Sequence, residues 1–357
     1  MEKRFLPLFV LGALLIPAAG AQAATKPVYA GTPPQGVLNG VPEFATDNAF
    51  YPKKTTIHKG DRISFQFRGF HNFFLPKKGQ PPAELFVLDP GNPVSGIKDA
   101  AGADFWFNGK LPAIGINPEA AAPSGGKTYN GKSAVGSGLP PDQGAPEPFK
   151  VRFTKKGTYT VYCSVHPGMK GNIVVKAKKA RIPSKKQDRK RINRQKKAAA
   201  KLAKKLVASP GPSGLTVKAG NDKKGVATIA FFPDSKTVKV GDKVTFAISK
   251  KSTETHNVAF APEAYGNDLA ATFLTPAGVD PRTAYPSQPP GTSLVVSSSP
   301  PLVHGNGFVN TGLLDDVKST PLPKSAVVTF SAPGTYDYYC IVHGGPQGMR
   351  GKITVTP

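Results

Sequence analysis

The residues best able to do chemistry in this chain are its thiols, thioethers and imidazoles, and they are few. Among 357 residues there are two Cys, three Met and six His. Both Cys stand in Cys-x-x-His, as Cys163 with His166 and Cys340 with His343. Met1 begins the chain, and the other two Met follow those motifs as Met169 and Met349, each in Gly-Met-basic-Gly. Two further His, His71 and His256, each open a His-Asn pair. A thiolate, two imidazoles and a weak thioether suit copper: Cys and Met favour Cu(I), while imidazole tolerates both Cu(I) and Cu(II). Structural zinc would not need the Met. A disulfide would have to join equivalent interior positions of two separate domains, which cannot reach bonding distance without opening.

The elements that must position these residues occur twice. YPKKTTIHKGDRISFQFRGFHNFFLP at 51–76 parallels FPDSKTVKVGDKVTFAISKKSTETHNVAFAP at 232–262. Each alternates with strand period, turns at Gly-Asp (Gly60-Asp61, Gly241-Asp242), alternates again and reaches His-Asn. FKVRFTKKGTYTVYCSVHPGMKGNIVV at 149–175 likewise parallels VVTFSAPGTYDYYCIVHGGPQGMRGKITV at 327–355. The register is nearly constant, since Gly241 follows Gly60 by 181 positions, Cys340 follows Cys163 by 177 and Met349 follows Met169 by 180. A tandem duplication of one β-domain explains this. Short alternating strands without a strong helix in either copy predict an all-β, antiparallel sandwich for each. Each copy also carries a long Gly/Pro-rich insert, at about 77–148 and 262–324, of the kind that elaborates a binding face.

The expected domains are 24–176 and 214–357, joined by a linker at 177–213. From Lys176 to Leu206 there are 15 Lys and Arg against the single Asp188, a net +14 within a chain of net +25. Ser184-Lys185-Lys186-Gln187 has capping-box form and the stretch after it is rich in helix formers. A solvated basic helix is expected, outside any core, because its apolar stripe (Ile192, Ala199, Leu202, Leu206) is thin. The run lacks interleaved aromatics, which argues against nucleic acid; an anionic membrane or cell surface fits its charge better.

The first residues read as a signal peptide over 1–23. Lys3 and Arg4 precede an apolar run from Phe5 to Ile16, and Ala21-Gln22-Ala23 is a small-x-small cleavage site. Export to the periplasm, the cell surface or the medium is expected. No Cys lies near the cleavage site to take a lipid anchor.

At the Cys-x-x-His…Met motifs the chain resembles the cupredoxins, the blue (type 1) copper proteins. CSVHPGM has the loop spacing of amicyanin, and CIVHGGPQGM is nearer the longer loops of plastocyanin and pseudoazurin. The resemblance covers the cores of both repeats and leaves out the inserts and the linker. It implies two cupredoxin-like Greek-key sandwiches, with ligands His71, Cys163, His166 and Met169 in one and His256, Cys340, His343 and Met349 in the other. Gln347 is a rival to Met349 as axial ligand. Asn72 and Asn257 are implied braces of the Cys loops, and Ser164 offers a hydroxyl beside Cys163 where the second copy has Ile341. The implied role is electron transfer between redox protein partners, through the more exposed loop histidines His166 and His343. Copper-dependent oxidoreductases of the multicopper-oxidase or nitrite-reductase kind, and copper storage or delivery, are the alternatives. The former carry His-x-His pairs and a His beside the Cys; here Tyr162 and Ser164 flank Cys163, Tyr339 and Ile341 flank Cys340, and no His-x-His occurs. His58 and His304 have no counterparts in the repeat and read as surface histidines, and Trp106 as packing.

Overall fold

The structure is a computed structural model and describes residues 23–33, 38–141, 146–275, 277–297, 304–305, 307–317 and 322–357. Apart from Ala23, the expected leader lies outside the described residues.

Alternation along the strands builds two β-sandwiches. In Lys170–Lys176, for example, Gly171, Ile173 and Val175 face inward, Lys170, Asn172 and Lys176 face out, and Val174 is half-buried. In the first sandwich one sheet runs Thr128–Tyr129, Phe149–Phe153, Arg62–Phe67, Thr25–Ala30, Phe50–Tyr51. Its partner runs Lys54–His58, Lys170–Lys176, Gly157–Tyr162, Phe74–Leu75, Val135–Ser137, Pro123–Ser124. The second sandwich repeats the plan. One sheet is Phe231–Phe232, Thr216–Ala219, Lys243–Ile248, Ser325–Phe330, Leu294–Val296; the other is Ser235–Lys239, Arg350–Thr356, Gly334–Tyr339, Ala259–Phe260, Val309–Asn310.

The sheets are mixed where pure antiparallel pairing was expected. Thr25–Ala30 runs parallel to Arg62–Phe67, and Lys54–His58 runs parallel to Lys170–Lys176. The second copy has the same parallel pairs, Thr216–Ala219 with Lys243–Ile248 and Ser235–Lys239 with Arg350–Thr356. Successive strands here pass from one sheet to the other, so a later strand can arrive beside an earlier one in the same direction. Each sandwich closes on its own aromatic-rich core. Phe50, Phe65, Phe73 and Phe153 fill the first, and Phe231, Phe246, Phe260 and Tyr338 the second. Each such side chain contributes roughly 1.5–3 kcal/mol when fully buried. Both Gly-Asp turns are closed by their carboxylate, which accepts the N–H of His58 in one copy and of Lys239 in the other.

Among the contacts that fasten the two sandwiches together, three stand out that the repeat did not reveal. Ala45–Asp47 of the first pairs antiparallel with Val226–Thr228 of the second. The first insert forms a hairpin, Phe86–Pro93 with Pro112–Ile116, whose connection carries Phe105 and Phe107 onto the second sandwich. There they pack with Ala259, Leu269, Phe308, Tyr339 and Ile341, while the Trp106 indole N–H donates to Pro286 O at 2.8 Å. Third, the basic helix Lys185–Val207 begins at the Ser184–Gln187 capping box and lies against both halves. This corrects the expectation of a solvated helix outside any core. Ala199, Ala203 and Leu206 are buried against Leu38, Ala45 and Val226, because the paired strands at 45–47 and 226–228 offer them an apolar floor. Lys26 also binds Asp188 at 2.6 Å.

Two histidines are likewise less exposed than expected. His304 is buried by the incoming insert, packs its ring 4.0 Å from that of Phe105 with the planes tilted by 34°, and hydrogen-bonds Asp99 at 3.2 Å and Ser287 O at 3.0 Å. His58 is half-buried and bonded to Ala180 O at 2.8 Å, where the chain after the first sandwich folds back over it.

Candidate metal centres and the bridge between them

At one end of the first sandwich, the loop between Gly157–Tyr162 and Lys170–Lys176 brings Cys163 and His166 to meet His71. The donor atoms lie within 4.8 Å of one another and all three residues are buried. The Cys163 Sγ is 3.8 Å from His71 Nδ1 and 3.5 Å from His166 Nδ1. The second copy assembles His256, Cys340 and His343 in the same way, with Cys340 Sγ at 3.9 Å from His256 Nδ1 and 3.4 Å from His343 Nδ1. Two Nδ1 atoms and one sulfur thus face a common point in each cluster.

The methionines close both loops identically. Cys163 N–H donates to Met169 O at 3.1 Å, and Met169 N–H to His166 O at 3.0 Å. In the second copy Cys340 N–H donates to Met349 O at 2.9 Å, and Met349 N–H to His343 O at 3.0 Å. Both Met side chains are buried in the core of their own sandwich. Gln347 is exposed and turned outward, donating from Nε2 to Glu263 at 3.1 Å. The three extra residues of the second loop form the short turn Gly345–Gln347.

The Asn residues hold the Cys loops. Asn72 Oδ1 accepts the Ser164 N–H at 2.7 Å, and Asn257 Oδ1 accepts the Ile341 N–H at 2.8 Å. Because a backbone donor is used, the brace survives the change from Ser164 to Ile341. The Ser164 hydroxyl is buried and has no hydrogen-bond partner among the described residues, which gives no support to a brace from it. Instead the second cluster has an N–H···S contact, from Asn257 N to Cys340 Sγ at 3.4 Å. Asn257→Ala should lower copper affinity at that centre roughly 10–100-fold, the usual effect of losing a residue that orients ligands; chelator-competition titration measures it.

Sequence reading missed Glu254 and two glycines. Glu254 Oε1 lies 3.5 Å from His166 Nε2, and its Oε2 lies 3.5 Å from His343 Nε2. Asn48 of the first sandwich donates to the same carboxylate at 2.6 Å. His166 and His343, expected to face solvent, therefore point toward each other across the domain boundary. They share a cleft of about 430 Å³ with Glu254, Arg68 and Phe70. Gly31 and Gly220, both at positive φ, lie against the far edges of His71 and His256. An Ala-Gly step precedes the aligned region in both copies (Ala30-Gly31, Ala219-Gly220) and was the available signal. Glu254 gave none, because Gly69 stands two residues before His71 where Glu254 stands before His256.

The electrostatics follow from this proximity. Burial alone would raise both thiols, but the adjacent imidazoles outweigh it and bring Cys163 and Cys340 down to about 5. Burial would likewise raise Glu254, yet His166 and then His343 hold it well below the usual carboxylate range. His343 is lifted to about 10 against the effect of burial, chiefly by Cys340. His71, buried and beside His166, is pushed below its ordinary value. In the protein without metal, the thiols are thus poised as thiolates at neutral pH, the form that binds a metal ion.

A β-sandwich that closes a buried thiolate–imidazole cluster with one loop and one distant histidine defines a protein built to hold a soft, redox-active metal. Residues 125–176 match the family of copper binding proteins described as plastocyanin/azurin. Plastocyanin B'/B'' of Nicotiana tabacum is 30% identical over 141 residues, which is 40% of this chain and 99% of that protein. The chain therefore belongs to the plastocyanin/azurin family of copper-binding proteins. The chloroplastic plastocyanin of Physcomitrium patens is 28% identical over 151 residues, 42% of this chain, and the match spans 62% of that relative. Among solved structures, oxidized plastocyanin of Dryopteris crassirhizoma is 26% identical, with 40% of this chain and 99% of that one covered at a TM-score of 0.21. Reduced auracyanin of Roseiflexus castenholzii is 18% identical over 41% of this chain and all of its own, at a TM-score of 0.25.

Proposed function

We propose that the protein carries electrons on two type 1 coppers, one in each sandwich. His71, Cys163, His166 and Met169 would hold the first, and His256, Cys340, His343 and Met349 the second. The two cupredoxin units would be residues 24–176 and 214–357, with 177–213 between them. The observation that carries this reading is the double occurrence of one buried donor geometry, closed by the same Cys-to-Met and Met-to-His backbone bonds. When bound, copper supplies the one-electron couple. The chain's own part is to bury the donors, keep water away and fix the imidazoles, so that little moves when the charge changes. The lack of a His-x-His pair and of a His beside either Cys favours a carrier over a copper-cluster oxidase. The leader-like first residues favour export, with the mature chain starting near Ala24. The outward Lys and Arg of the helix Lys185–Val207 would favour contact with an anionic membrane or cell surface, and the electron partners would be other redox proteins.

Purified protein loaded with Cu(II) should be intensely blue and bind two coppers. Cys163→Ala and Cys340→Ala should each remove about half of the colour, since each deletes one thiolate. A protein that stays colourless, or that takes zinc in preference, would refute the reading.

A further inference from the structure

Glu254 lies almost wholly out of water, with 11% of its side-chain surface exposed, between the two imidazoles that each carry a Cys-x-x-His motif. Its oxygens face the Nε2 atoms, the edges turned away from the metal positions, since both Nδ1 atoms face sulfur. One carboxylate therefore spans the whole gap between the two rings. Asn48 fixes it from the opposite sandwich with a 2.6 Å bond and also donates to Thr253 at 3.0 Å.

Mechanical fastening does not explain this placement. The sandwiches are already joined by the ladder of 45–47 with 226–228 and by Phe105 and Phe107. Burying a carboxylate is costly, and apolar groups in its place often serve stability as well or better. A charge kept there is better explained by what it touches.

We propose that His166, Glu254 and His343 form a direct electron path between the two copper centres, so that the two sandwiches exchange electrons within one molecule. In the step, Cu(I) at one centre is oxidised to Cu(II) and Cu(II) at the other is reduced to Cu(I). One electron moves, no bond forms or breaks, and the Nε2 protons stay on their rings with Glu254 as the common acceptor. The first electron enters from an external one-electron donor. This path rests on both clusters holding copper as proposed above.

The test uses the full chain with both coppers bound and one electron added. Cu(II) broadens the NMR resonances of its own sandwich, so exchange between the two electron placements is read from each half separately. In the wild type the exchange rate should be independent of protein concentration. Glu254→Leu should slow it roughly tenfold or more, as expected when a group orienting metal ligands is lost. Glu254→Gln can still accept from His166 and Asn48 but presents N–H₂ to His343, so it should fall between the two. Trp106→Phe, which loosens the interface away from the path, should leave the rate unchanged. A second readout needs no copper: in the metal-free protein, the Nε2–H resonance of His343 should shift upfield in Glu254→Gln as its acceptor is lost.

Normal blue absorbance in Glu254→Gln with a wild-type exchange rate would overturn the path and leave the carrier reading intact. A wild type that loads only one centre would overturn both. If solution scattering shows that Glu254→Leu separates the sandwiches, the isosteric Gln variant decides.

Discussion

Phe107→Ala is expected to destabilise the protein by about 3–5 kcal/mol, the range for removing a fully buried aromatic ring. Phe107 has no exposed surface, stacks on Phe105 at 5.1 Å with planes 10° apart, and meets Tyr285 at 5.5 Å. The cavity cannot close easily, because its walls belong to a β-sheet edge and to Leu269 of the helix Glu263–Thr272, each held by its own packing. The loss is not confined to the insert. Phe107 comes from the first sandwich, and its surroundings come largely from the second, including Ile341 beside Cys340. Calorimetry should therefore show a lower transition for the second half, with the first half's own core untouched. An unchanged melting profile would mean that the insert does not hold the halves together.

The second large effect is expected at Gly220. Its φ is +75°, and a Cβ there would sit 2.8 Å from His256 Nε2. A left-handed conformation costs an ordinary residue roughly 1–2 kcal/mol before any contact is counted. The contact cannot relax cheaply either, since His256 is completely buried and its N–H and C=O are both bonded to Leu314. Gly220→Ala should thus push the imidazole off its position. Copper affinity at the second centre should drop at least roughly tenfold, with the first centre unaffected. Gly31→Ala should do the same at the first centre, where the added carbon also collides with Arg68 O. Copper titration of each variant, read by blue absorbance, distinguishes one weakened centre from two.

The candidate donor residues were legible because metal chemistry restricts donors to rare amino acids at fixed spacing. With two Cys in the whole chain, Cys163 and Cys340 could hardly be missed, and the parallel between the two stretches of sequence put His71 and His256 in register. The capping box of the basic helix was legible for the same reason, being a local signal within four residues. Its buried face was not, because Ala199, Ala203 and Leu206 become a core only against three-residue strands that carry no pattern of their own. The docking of the halves was equally hidden. It depends on Phe105 and Phe107, carried by the first of the two inserts, and on Asn48 meeting Glu254 across 206 positions. A repeat reports what two copies share, so it is blind to whatever one copy does for both.

Two modules joined in one chain can be independent, so that either is lost without harm to the other. Here Glu254 exists once yet serves a histidine in each half, and the strap of Phe105 and Phe107 exists once yet covers the neighbour. The two halves are complements: neither could be deleted, or replaced by a repeat of the other, without removing a part on which the remaining one leans.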